Sequence, residues 1–225
     1  WSMATQLAQP RLFDVEEFLR MGELGVLPER GVELMDGRIV FGAGRPWRFS
    51  VEDYYRLAEA GILGEDEHVE LIEGEIIKMS PIGSRHAGVV KRLVAVLSEH
   101  VGRTAILSVQ DPLRLGSATE PQPDLMLLRP RSDYYTRMHP TPGDVLLLIE
   151  VADSSLDRDR YEKAELYARA GIPEYWLVDV NACELILHLQ PSGLGYLQVE
   201  TKQPHESWTA QALPQLTLRG ADVFG

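Results

Sequence analysis

Apolar residues recur along this chain at two different periods, and the switches between them mark out its elements. Residues 11–40, RLFDVEEFLRMGELGVLPERGVELMDGRIV, run first at helical spacing and then at the two-residue alternation of a strand. Residues 47–77, WRFSVEDYYRLAEAGILGEDEHVELIEGEII, repeat that pattern, with about 13 identities over about 30 positions and one inserted residue. Each copy opens at a capping residue, Asp14 or Ser50, followed by two acidic residues where the helix dipole favours them. The helices are predicted to stop near Gly25 and Gly61. A hairpin follows in each copy, turned at Asp36-Gly37 or Glu73-Gly74. Two copies are too few to stack as a solenoid, so the first reads as an added flap or contact surface and the second as the lead into the core.

Beyond the repeats, SPIGSRHAGVVKRLVAVLSEHVG predicts a loop and then a helix over about residues 86–100. Its apolar stripe is Val89, Val90, Leu93, Val94 and Leu97. TAILSVQDPLRLG reads as a strand or strand pair, QPDLMLLRP as a strand, and DVLLLIEVAD as a strand with a buried centre. DRDRYEKAELYARAG predicts a helix stopped at Gly171; EYWLVDV and ELILHLQ are strands joined by a short turn, and shorter strands and loops follow. The order helix, strands, helix, strands predicts an α/β (α+β mixed) domain, a central mixed sheet with helices on its faces. YYTRMHPTPGD is long for a plain connection and suits a substrate loop. The expected division is an N-terminal appendage over residues 1–46, after a tag remnant at Trp1 and Ser2, and a main domain over residues 47–225.

Composition narrows the classes. A chain of 225 residues holds one medium domain with a small appendage. The single cysteine, Cys183, excludes internal disulfides and cysteine-rich zinc sites. No apolar run approaches the roughly 20 residues of a membrane span, and WSMATQLAQP lacks the pattern of a secretory signal, so a soluble cytoplasmic protein is expected. The formal net charge of -12 argues against a protein that coats DNA nonspecifically. Basic residues form only small clusters such as Lys91-Arg92 and Arg129–Arg131, which leaves room for a local site whose charge a bound metal carries.

Two carboxylates stand out against that background. Asp124 follows a proline in EPQPDLMLLRP, just before an apolar run, and Glu150 lies inside the apolar DVLLLIEVADSS. Burying an ionised carboxylate is costly unless something pairs with it, and two of them in neighbouring strands repel. A divalent, oxygen-loving cation removes that penalty, because Mg²⁺ is commonly held by one or two carboxylates plus waters and substrate phosphate. Lys163 lies on the following helix, four residues after Asp159, and Tyr167 continues the same face. A lysine near a metal orients a water or neutralises phosphoryl charge. Plainer readings stand beside these. Asp124 suits a turn, Glu150 a strand-end ion pair, and Lys163 a solvated i,i+4 partnership with Asp159. His139 and His205 read as surface residues. Neither a glycine-rich phosphate loop nor a hydrolase nucleophile elbow is present in the sequence.

VELIEGEIIKMSPIGSRHAGVVKRL, EPQPDL and LLLIEVADSSLDRDRYEKAELYARAGIPEYWLVDV resemble the Uma2 family, over roughly residues 49–218. That family is assigned to the PD-(D/E)XK nuclease superfamily and described as a restriction endonuclease. The resemblance implies a restriction-endonuclease-like core, DNA as substrate and Mg²⁺ as cofactor, with Mn²⁺ able to substitute. It implies that Asp124 and Glu150 hold the metal. Two residues after Glu150, where the superfamily expects lysine, stands Ala152. Lys163 is the replacement expected, returning its ammonium to the same site from the next helix. A further acid from an N-terminal element is expected at Glu70, with Glu73 and Glu75 as rivals; Glu33 in the first copy shows that this glutamate also suits the hairpin itself. His86 matches a family histidine, although a helix-start histidine is the plainer reading, and Gln110 is a secondary candidate. The expected reaction is metal-assisted hydrolysis of DNA phosphodiesters by an endonuclease, with a two-fold homodimer as the natural assembly on symmetric DNA. Two rival classes are a nuclease fold whose catalysis has lapsed, serving for binding, and a metal-independent hydrolase acting on sugars with the same two acids.

Overall fold

A computed structural model describes residues 9–225, so the reading of Trp1 and Ser2 lies outside the described residues. The chain divides into two compact units, one formed by residues 9–81 with Leu115–Pro121, the other by Ile82–Arg114 with Gln122–Gly225. The boundary expected between residues 46 and 47 falls inside the first unit, because both copies of the repeat belong to it.

The first unit is built twice from the same local rules. β1 (Gln9–Pro10) leads to α1 (Val15–Glu23), then β2 (Val32–Met35) and β3 (Arg38–Phe41). β4 (Arg45–Pro46) leads to α2 (Val51–Glu59), then β5 (Val69–Ile72) and β6 (Glu75–Lys78). Asp14 and Ser50 cap their helices in capping boxes closed by Glu17 and Asp53. Both hairpins turn through two residues of positive φ, 49° and 76° at Asp36-Gly37 and 49° and 80° at Glu73-Gly74. That is the geometry whose twist matches paired strands. Phe13, Met21, Leu57, Ile62, Leu71 and Ile76 lie in its apolar core. Residues 115–121, from much later in the chain, join this unit through a bridge of Glu120 with Leu71.

The second unit opens with α3 (Ser84–Val101), followed by β7 (Ile106–Val109), β8 (Leu125–Leu128) and β9 (Val145–Ala152). A π-helical turn, Arg158–Lys163, runs into α4 (Ala164–Arg169), and β10 (Glu174–Asp179), β11 (Glu184–Ser192) and β12 (Gly195–Lys202) complete a six-stranded sheet. β13 (Ser207–Thr209) and β14 (Thr217–Arg219) pair with each other ahead of α5 (Gly220–Phe224). The sheet order is β12-β11-β10-β9-β8-β7. Only β9 and β10 run parallel; the other pairs are antiparallel. The π turn and α4 form the crossover that a parallel pair requires.

Alternation along β8 and β9 divides the sheet between two faces. Leu125, Leu127, Leu147, Ile149 and Val151 pack with the α3 stripe of Val89, Val90, Leu93 and Leu97, joined by Trp176 and Trp208. β9 is buried at every position, as expected of a central strand covered on both sides. The mixed sheet with flanking helices is the fold expected from the pattern. Of the strand or strand pair read over residues 104–116, the structure has the single strand β7; Pro112 stands just beyond it and the chain leaves the sheet. One detail differs. The helix read from residue 157 onward begins as a wider π turn.

Candidate active site

Leu125 of β8 faces Ile149 of β9 in the ladder, so Asp124 and Glu150 lie opposite each other at its next step. Ile149 and Val151 point toward α3, and alternation turns Glu150 to the face covered by the π turn and α4. The two acids are tied together through backbone: the Asp124 amide donates to Glu150 Oε2 at 3.2 Å, and the Val151 amide donates to Asp124 Oδ2 at 2.9 Å. Both are buried, at 8% and 4% exposure.

Glu150 takes its side-chain partners from the crossover. Lys163 Nζ donates to Glu150 Oε1 at 2.8 Å, and the Tyr167 hydroxyl donates to the same oxygen at 2.6 Å. Lys163 is 4% exposed, which rules out its reading as a solvated surface partner. Four residues separate Lys163 from Tyr167, one turn of helix, so both reach one carboxylate from one face. The π turn ends at Lys163, and such wide turns commonly accompany functional sites.

Asp124 is held from the other side. His86, in the first turn of α3, places Nε2 at 2.9 Å from Asp124 Oδ2, and Gln110 Nε2 donates to Oδ1 over a longer 3.3 Å. Burial alone drives the Asp124 pKa upward. The hydrogen bond and charge of His86, the Val151 amide and the charge of Lys163 outweigh it, so the carboxyl sits below its ordinary range. Burial likewise opposes a charged His86, but Asp124, with Glu150 and Asp159 behind it, raises its pKa. His86 Nδ1 is buried without a hydrogen-bond partner.

Asp124, Glu150, Lys163, His86 and Gln110 are therefore brought together. Glu70 belongs to the first unit, on β5 facing Ile77, where it is 2% exposed. Its rival Glu73 occupies the turn, and Glu75 pairs with Arg48. The composition of the sequence left three members unassigned. Asp159 is 3% exposed and accepts a hydrogen bond from Ser155. Tyr175, fully buried, donates to the Asp159 carbonyl at 3.1 Å and packs its ring on Tyr167 at 5.2 Å. Tyr167 itself was legible only as part of a helical face. The signal available for Asp159 and Tyr167 was their four-residue spacing on either side of Lys163.

The set is chemically coherent: two facing carboxylates with oxygen donors only, one ammonium, and one imidazole. Among the described residues no group of three His, Cys, Asp or Glu is arranged to hold a metal. A hard cation does not require three, since water and substrate oxygens complete its shell. Asp124 and Glu150 fit such an ion: each carboxylate offers about four acceptor directions, and Asp124 Oδ1 carries only the long contact from Gln110.

Comparison with known proteins gives the fold and the family. A crystal structure from Anabaena variabilis ATCC 29413, described as "a putative nuclease belonging to DUF820", shares the fold with a TM-score of 0.64. At 18% identity the match covers 78% of this chain and 97% of that one. No curated protein matches the chain. The model of one family, described as "Putative restriction endonuclease", matches residues 51–221, from the start of α2 into α5, and so takes in Asp124, Glu150 and Lys163. The chain belongs to the Uma2 family.

Proposed function

We propose that this protein is a divalent-metal-dependent endonuclease that hydrolyses phosphodiester bonds in DNA. The observation that carries the reading is the facing pair Asp124 and Glu150, with Lys163 bonded to Glu150, inside the segment matched by the family model. Asp124 and Glu150 would hold Mg²⁺, with Mn²⁺ as a substitute. When bound, such a cation supplies Lewis acidity to the phosphoryl group and lowers the pKa of a water.

The chain's own residues do the rest. Lys163 neutralises Glu150 and presents an ammonium beside the scissile phosphate, where it positions the attacking water and offsets developing charge. Its arrival from the crossover helix compensates for Ala152, which stands two residues after Glu150 and has no side chain to do this. Tyr167 fixes which Glu150 oxygen the lysine holds. His86 orients Asp124 through Oδ2.

The test is cleavage of plasmid DNA with Mg²⁺ by Asp124→Ala and Glu150→Ala variants, alongside thermal unfolding. Cleavage is expected to fall at least about 100-fold while each variant still folds. Variants that cleave like the parent, in preparations free of contaminating nuclease, would remove the reading. A second reading, a nuclease fold retained for binding alone, draws on Ala152 and on Glu150 Oε1 already carrying two donors. Calorimetry with Mg²⁺ and Mn²⁺ separates them: absence of any cation affinity favours the binding module.

A further inference from the structure

The two helix-hairpin copies meet through reciprocal contacts. The Arg11 amide, just before α1, donates to the Ile76 carbonyl in the second hairpin at 2.7 Å. The matching residue of the second copy, Trp47, donates to the Ile39 carbonyl in the first hairpin at 2.8 Å. The strands repeat the exchange. Pro10 of β1 pairs with Ile77 of β6, and Pro46 of β4 pairs with Val40 of β3. Arg20 of α1 donates to the carbonyl of Ala60 at the end of α2, while Arg56 of α2 donates to the carbonyl of Leu24 at the end of α1. Phe13 and Phe49, equivalent to each other, touch directly with ring centroids 5.8 Å apart.

A contact in which position i of one copy meets j of the other, while j meets i, is the mark of a two-fold interface; a head-to-tail repeat would not produce it. A residue meeting its own equivalent, as Phe13 meets Phe49, lies on the axis of such a pair. The first unit thus contains the interface of a dimer, made within one chain. Apart from those made by the Arg11 side chain, the hydrogen bonds named above come from backbone or from an arginine present in both copies, so a second α2 hairpin unit that replaced the first copy would keep them. The asymmetric part is Arg11, which binds Glu17 at 2.6 Å and Glu67 at 3.0 Å and lies over the Phe13 ring; the second copy has Trp47 in its place. That clamp favours pairing within the chain. The segment matched by the family model begins at Val51, so it takes in α2 and the second hairpin and none of the first copy.

We infer that the first repeat is an internal stand-in for a second chain: the face of the second repeat is a self-complementary docking surface for another copy of this protein, and the first repeat fills it. Once the first repeat is displaced, two chains join through their second repeats about a two-fold axis. The contact surface suspected of the extra repeat is then already occupied in the resting chain.

The test uses the full-length chain and sedimentation or light scattering, with wild-type mass as reference. Phe13→Asp places a charge on the axis and undocks only the first repeat, so the mass is expected to double in a concentration-dependent way. Adding Phe49→Asp spoils the second face as well, and the mass is expected to return to the wild-type value. Deleting Gly42–Gly44, the hinge between copies, alters no interface residue and prevents the first repeat from reaching its own partner. That variant is expected to double in mass by exchanging repeats between chains. Wild-type mass in folded Phe13→Asp protein overturns the inference; should that variant aggregate, wild-type mass in the hinge deletion overturns it instead.

Discussion

Lys163 and Glu150 form a buried ion pair, and its energetics can be read separately from its chemistry. Removing one partner of such a pair leaves an uncompensated charge and typically costs about 3–5 kcal/mol, whereas removing both costs much less. In urea unfolding, Lys163→Met is expected to lose stability on that order, and Lys163→Met with Glu150→Gln to recover a large part of it. Equal losses in the single and double variants would mean that the pair is not electrostatically coupled. The acids and the lysine were legible in the sequence because charged residues in apolar surroundings demand partners. Asp159 and Tyr167 were less so, because a charged residue on a helix and a tyrosine among apolar residues both have plain alternatives until the helix face is placed. His188 gives a second test at this scale. It is 4% exposed, stacks on Tyr175 at 4.9 Å, and burial pushes its pKa down to about 4 from 6.5. The unfolded chain therefore takes up a proton at His188 at higher pH than the folded one. Its contribution is fully present above about 6.5 and is lost as pH falls toward 4, by up to roughly 3 kcal/mol. His188→Phe should flatten that part of the stability-pH profile; an unchanged slope would assign the loss to other groups.

At the level of elements, the repeated hairpins show which local rules fixed the fold. Gly74 has a φ of 80°, and a Cβ there would lie 2.8 Å from Arg48 Cβ. Gly74→Ala is expected to cost about 1–3 kcal/mol in thermal or denaturant unfolding, from left-handed strain together with the collision. A neutral result would show that the turn relaxes to another type. Caps, turns and strand alternation were all readable, since each depends on a few neighbouring residues. The π turn was not. A run such as Arg158–Lys163 has ordinary helical composition, and its widening accompanies a tertiary contact, the bonds of Lys163 and Tyr167 to Glu150. The reciprocal packing of the repeats was equally invisible. Identity between copies reveals that they share a fold, but not whether they meet by translation or by rotation.

For the whole molecule, charge sets a constraint that the proposed activity has to meet. A net charge of -12 repels a polyanion, and among the described residues no helix is long and apolar enough to cross a membrane. If DNA is the substrate, attraction must come from a few local groups and from cations at the carboxylate pair, not from a broad basic face. Counterion release then gives a quantitative expectation. The slope of log K against log salt is about -0.9 for each phosphate neutralised, so two or three contacts give a slope near -2 to -3. Binding of a short duplex, measured across KCl concentrations at fixed Ca²⁺ to suppress cleavage, should show that shallow dependence. Affinity should also fall steeply when the divalent ion is removed by EDTA, because the carboxylate pair then lacks the cation that would bridge it to the phosphates. A slope near -8 or steeper, with indifference to EDTA, would place DNA on an extended basic surface away from the paired acids and detach its recognition from the site on which the proposed hydrolysis rests.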